Sequence, residues 1–164
     1  MKAHFDMMAA YNGWANRRLY DAAHALPDED YRRDLGAAFG SIHRTLNHLV
    51  VADVIWLSRF RELPNPPWSL DHVPHDDPRE LRARRDALDR DIMGFTGALN
   101  EARLAGEFEY QTIVNPSRVR QKLAPALAHF FNHQTHHRGQ CHAMLTRLTG
   151  HAPALDLAYF QRGL

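Results

Sequence analysis

At 164 residues the chain is long enough to bury a real core as one domain spanning 1–164, and its 45% hydrophobic and 24% charged residues are ordinary for a globular protein. Twenty Lys and Arg against nineteen Asp and Glu leave a net charge of +1, which argues against a nucleic-acid binder and its basic excess. No apolar run reaches the roughly 18 residues of a membrane span, Asp6, Asn12, Arg17 and Arg18 break any signal-peptide core, and the single Cys141 excludes an intrachain disulfide and fits a reducing cytoplasm.

Apolar spacing predicts a first helix over residues 2–26, with Phe5, Met8, Ala15, Leu19, Ala22 and Leu26 on one stripe. Asn12 interrupts that stripe, Pro27 ends the helix, and Pro-Asp-Glu-Asp begins a short extra turn. Ser41 is placed as the N-cap of a second helix reaching about Arg61. Its stripe is Ile42, Leu46, Leu49, Trp56 and Phe60, with Asp53 in the middle of it. Residues 63–78 hold five prolines, too many for a helix. A crossover of that length lets the third helix, over 78–100, run parallel to the second. Leu81, Leu88, Ile92, Phe95 and Leu99 line the third helix, and Arg85 breaks the seam. Phe108, Tyr110 and Thr112 alternate like a short extended piece. A fourth helix, with Pro125 in its first turn, runs to Thr149 before Gly150, and a short one follows over 154–162. The expected fold class is all-α: a four-helix bundle with a long crossover between helices 2 and 3.

The chemistry concentrates in His129-Phe130-Phe131-Asn132-His133-Gln134-Thr135-His136-His137-Arg138-Gly139-Gln140. His133 and His137 are four apart, so one helix carries both imidazoles on one face, as a metal ion requires. They fall at the edge of the apolar face drawn by Leu127, Phe130, Phe131, Cys141, Leu145 and Leu148, while His129 and His136 project outward. A third ligand has to come from another helix. His48, flanking the second helix's stripe, is the best placed. His43 points about 140° away from it at 100° per residue, and His4 approaches from the first helix. Three imidazoles would leave positions open for water or substrate, the pattern of a catalytic ion. Spacing alone leaves open the plainer reading of boundary histidines. Cys141 continues the row as a possible fourth ligand, against its ordinary role as a small buried hydrophobe. Asp53 and Arg138 each sit inside an apolar stripe, and the simplest expectation pairs them across the second and fourth helices. Asp53 has a competing role as acceptor for a ligand's second ring nitrogen. Tyr11, Trp14, Trp56 and Tyr110 are candidates for a pocket wall, against the usual role of aromatics as core.

The 129–140 run resembles the signature of the DinB family, in the DinB/YfiT-like group of metal-binding bundles. Tyr11-Asn12-Gly13-Trp14-Ala15-Asn16, Ser41 to His48, Ala52-Asp53 and Trp56 agree with it, and Ser69-Leu70-Asp71 and Asp156-Leu157 agree more weakly. The resemblance implies an up-down-down-up bundle, often a homodimer, with a divalent metal (Zn, Ni or Fe) on three histidines, which fall by position on His48, His133 and His137. It implies a metalloenzyme acting on a small molecule, as a hydrolase or as a transferase using a low-molecular-weight thiol. The alternatives are a non-catalytic, stress-associated metal-binding bundle and a dimerisation module with incidental histidines. The first helix, with its aromatic residues, is the expected dimer surface.

Overall fold

The computed structural model describes residues 1–163. Four long helices make the body: α1 (Lys2–His24), α3 (Ile42–Phe60), α4 (Pro78–Ala98) and α6 (Leu123–Thr149). Between and after them lie three short helices, α2 (Asp28–Arg32), α5 (Glu101–Ala105) and α7 (Leu157–Gln161). The strands β1 (Glu107–Gln111) and β2 (Arg118–Lys122) form an antiparallel hairpin in which Phe108 pairs with Gln121 and Tyr110 with Val119.

Local chemistry sets the helix ends where the sequence marks them. Ser41 Oγ accepts from the Arg44 amide at 3.2 Å, and Asp77 accepts from the Arg79 amide at 2.7 Å with Pro78 opening α4. Gly150 closes α6 at φ +83°, a left-handed conformation in which a Cβ would be strained.

Contacts along the helices fix their directions. Gly13 meets Asp89 and Asp21 meets Arg82, so α1 and α4 are antiparallel. Asp53 meets Arg85 and Phe60 meets Phe95, so α3 and α4 run in parallel. Phe5 on Phe131 and Asn12 against Arg138 make α1 and α6 parallel. His48 against His133 and Phe60 against Phe130 make α3 and α6 antiparallel. The order is therefore up-down-down-up, and the 61–77 crossover returns the chain so that α4 can start beside the start of α3. Leu19, Leu46, Leu49, Leu81, Ile92, Phe130 and Leu145 fill the core.

The bundle centre also holds charge, and here one expectation fails. Asp53 does not pair with Arg138. It accepts from Arg85 Nη1 at 2.5 Å and from the Gln134 amide. The parallel packing of α4 on α3 brings Arg85 level with Asp53, whereas Arg138 lies on the side of α6 that faces α1. Arg85 also lies 3.0 Å from Asp89, whose Oδ1 accepts from Asn12 at 3.2 Å and Asn16 at 2.9 Å. The oxygens of those two amides accept from Arg138, which also reaches Thr135 Oγ1 at 3.3 Å. Two carboxylates and two guanidiniums are thus tied across all four long helices. The Asn12 and Arg85 interruptions in the sequence stripes belong to this one network, joined through Asp89. Burial pushes the Asp53 carboxyl up against the opposing pull of Arg85, and Arg85 is itself held charged by Asp89 and Asp53.

Candidate metal centre

His48 lies two turns into α3, and His133 and His137 lie one turn apart on α6. Antiparallel packing of the two helices brings the three rings together. His133 Nε2 is 3.1 Å from His137 Nε2 and 3.3 Å from His48 Nε2. One nitrogen from each ring falls within 4.8 Å of the others. His48 and His137 are 5% and 7% exposed, while His133 is half-buried and marks the open side.

Hydrogen bonds at the far side of two rings decide what faces the middle. His48 Nδ1 donates to the Leu70 carbonyl at 2.8 Å, supplied by the crossover. His137 Nδ1 donates to Gln140 Oε1 at 2.8 Å, and the Gln140 amide nitrogen is 3.2 Å from His136 Nε2, which fixes which end of the amide faces which ring. Both Nε2 atoms therefore present lone pairs to His133. A proton on His133 Nε2 serves one of the two contacts and leaves the other as lone pair against nitrogen. A cation at the centre serves all three. Protonation is not an easy substitute. Burial and the neighbouring rings hold His133 down to about 3, burial holds His137 to about 4 against the Gln140 bond, and burial lowers His48. Three neutral imidazoles, two of them oriented from behind, are the protonation state that a divalent ion needs.

The surroundings shape access. Phe39 stacks on His48 with ring centroids 3.9 Å apart and meets His137 edge-on at 5.6 Å. It is carried by a tight turn in which Gly40 N donates to Ala37 O at 2.8 Å and Gly36 and Gly40 both have positive φ. Away from Phe39, His129 lies 6.0 Å from His133 and Trp56 lies 5.1 Å from His129.

Of the residues singled out in the sequence, His48, His133 and His137 come together. His43 lies on the other flank of α3 with Nε2 3.1 Å from the His75 carbonyl, and His4 is exposed beside Phe5. Cys141 is fully buried, its thiol pushed up to about 12 by burial, and stands outside the cluster. Asp53 orients no ligand, since its oxygens are bound to Arg85 and Gln134. The four aromatics divide: Trp56 and Tyr110 adjoin one another, while Tyr11 and Trp14 pack with Phe160 on another face. Sequence reasoning missed Phe39, Leu70 and Gln140. Only Gln140 carried a signal, three residues after His137 on the same helical face.

A bundle of this topology, with imidazoles from its second and fourth long helices converging between them, defines a histidine-centred helical protein able to hold a metal ion. The chain belongs to the DinB family, whose pattern matches residues 1–162. In sequence it is similar to Protein DinB of Bacillus subtilis (strain 168), 28% identical over 149 residues that cover 88% of this chain and 85% of that protein. In fold it is similar to YfiT from Bacillus subtilis, described as a probable metal-dependent hydrolase with an unusual four-helix bundle topology. That likeness has a TM-score of 0.70 at 14% identity and covers 93% of this chain and 91% of the other. Among the described residues, no helix is long and apolar enough to cross a membrane.

Proposed function

We propose that the chain is a divalent-metal-dependent enzyme, with His48, His133 and His137 as ligands, that hydrolyses a small molecule or transfers a low-molecular-weight thiol to it. The observation that carries this reading is the convergence of three neutral Nε2 atoms, two of them with tautomers fixed from behind. Zn, Ni and Fe(II) all suit such a donor set. A bound ion of this kind lowers the pKa of a coordinated water or thiol, which yields a nucleophile near neutral pH. The chain's own residues do the rest. Leu70 and Gln140 hold two ligands in place, and Phe39 shields the His48 side from water. The half-buried His133 side leaves the approach for substrate. His129 and His136 are exposed imidazoles bordering the ligands, placed to accept a proton from the substrate side. Hydrolysis is the first reaction to try, by the description of YfiT.

The test is elemental analysis of untagged protein beside His48→Ala and His137→Ala, followed by ester, amide and thiol-conjugation assays. About one ion per chain, absent from both variants, together with turnover that disappears with it, is the expected result. No ion in the wild type and none taken up from Zn or Ni would overturn the proposal. An ion without turnover across the panel would make it a structural brace of the bundle.

A further inference from the structure

The face of α3 and α6 that holds the three histidines continues beyond them. Positions 48, 52, 56 and 59 of α3 follow one another at three- and four-residue spacing, so their side chains share that face. At 52 stands the buried Ala52, between His48 and the half-buried Trp56 along that face. Trp56 in turn meets His129 on α6. At the far end is Arg59, only 8% exposed. Its guanidinium lies between two aromatic rings, 4.8 Å from the centroid of Trp56 and 4.7 Å from that of Tyr110.

Arg59 differs from the other buried arginines. Arg85 has Asp53 and Asp89 beside it, and Arg138 is bound to two amide oxygens and a hydroxyl. Arg59 makes one hydrogen bond among the described residues, from Nε to Asn65 Oδ1 at 3.2 Å, and Asn65 is held by the Gln111 carbonyl at 2.8 Å. No carboxylate among these residues comes within ion-pairing distance of it. Glu62 and Glu109, on the adjoining cleft of about 510 Å3, are instead paired with Arg103 and Arg118. The two terminal nitrogens, with four N–H groups, make no hydrogen bond to the described residues and are not sealed from solvent. Stacking between the two rings holds this guanidinium rigid, and its free terminal nitrogens suit a two-pronged contact with an oxyanion.

We propose that Arg59 is the recognition site for an oxyanion, carboxylate or phosphate, on an elongated small molecule whose middle lies over Trp56. The eleven steps from His48 to Arg59 span about 16 Å along a helix. This proposal rests on the enzymatic reading for the identity of the other end, where the reacting group would lie at the histidines. Anion capture by Arg59 stands without it.

The experiment titrates the full chain with phenyl phosphate and, separately, phenylacetate, read by tryptophan fluorescence and by NMR shifts of the indole N–H signals. Arg59→Met and Arg59→Lys are run alongside, with metal content measured on every sample. Saturable binding of at least one probe is expected, weakened tenfold or more in Arg59→Met and only partly kept in Arg59→Lys, whose ammonium supplies charge without the two-pronged contact, with metal content unchanged in both. The probe that binds tells phosphate from carboxylate. Failure of both probes to bind wild-type protein, or equal binding by a folded Arg59→Met, would sink the assignment. Binding through Arg59 by a chain that neither holds an ion nor takes one up from Zn or Ni would remove the enzymatic reading and leave the anion site standing.

Discussion

The bundle contains two buried polar clusters that look alike in composition and differ in balance. At the centre, Asp53, Arg85, Asp89 and Arg138 are linked through Asn12, Asn16 and Gln134, with positive and negative charges equal in number. Between α3 and α6, His48, His133 and His137 bring three ring nitrogens within 4.8 Å of one another. A cluster that completes itself ties helices together. One that turns ring nitrogens toward one another, two of them fixed from behind, is suited to a cation from outside. The comparison predicts that damage to the two should separate cleanly, the first in stability and the second in binding.

The largest effect is expected at the histidines. His133→Ala removes the ring that touches both others, and ion content should fall from about one per chain to none, with any metal-dependent turnover falling alongside. Its metal-free melting temperature should stay close to that of metal-free wild type, because a half-exposed ring is lost rather than a core residue. A collapse of the fold in His133→Ala would show that the histidines also carry the bundle and would blur the distinction. Arg85→Met should do the reverse. It leaves two buried carboxylates without their shared guanidinium, a loss on the order of 3–5 kcal/mol. Denaturant midpoints should drop accordingly, while the surviving folded protein binds metal with its former stoichiometry.

Gln140→Ala should fall between these. The amide fixes the His137 ring without touching the cluster's centre. Removing such an orienting partner weakens metal affinity by roughly 10–100-fold. Competition with a coloured chelator measures this directly. Unchanged affinity would mean that packing against Phe39 alone sets the ring.

Much of this was legible in the sequence because it depends on period. Four stripes, a proline-rich crossover and two histidines four apart are local patterns, and they placed the long helices and the pair on α6. His48 needed a second helix, and its antiparallel approach to α6 follows from the topology. The family resemblance assigned the same three residues. What period does not reveal is which helix faces which. The Asp53–Arg138 expectation failed because both residues were read correctly as buried charges, while their neighbours depended on α4 running parallel to α3. Phe39 was invisible for a different reason: it sits in a turn between Gly36 and Gly40, where no repeat marks a side chain as facing inward. Leu70 acts through its backbone carbonyl, which no side-chain pattern records.

The smallest predicted effect is on pH dependence, and it separates the clusters without replacing a charge at the bundle centre. In the metal-free chain His133 and His137 are held to about 3 and about 4, below the 6.5 of an unperturbed imidazole. Between these limits the unfolded chain binds protons that the folded chain refuses, so stability present above pH 6.5 is lost progressively as the pH falls toward 4. An ion adds stability through binding to the folded state, and protons that compete for the same nitrogens remove that gain over the acid range as well. Metal-free wild type and metal-free His133→Ala, close in melting temperature at pH 7, should therefore separate as the pH is lowered to 4.5, the wild type falling further and the variant showing the flatter slope. Parallel slopes in the two proteins would place the acid sensitivity elsewhere and deny the histidine cluster its strained, proton-refusing character.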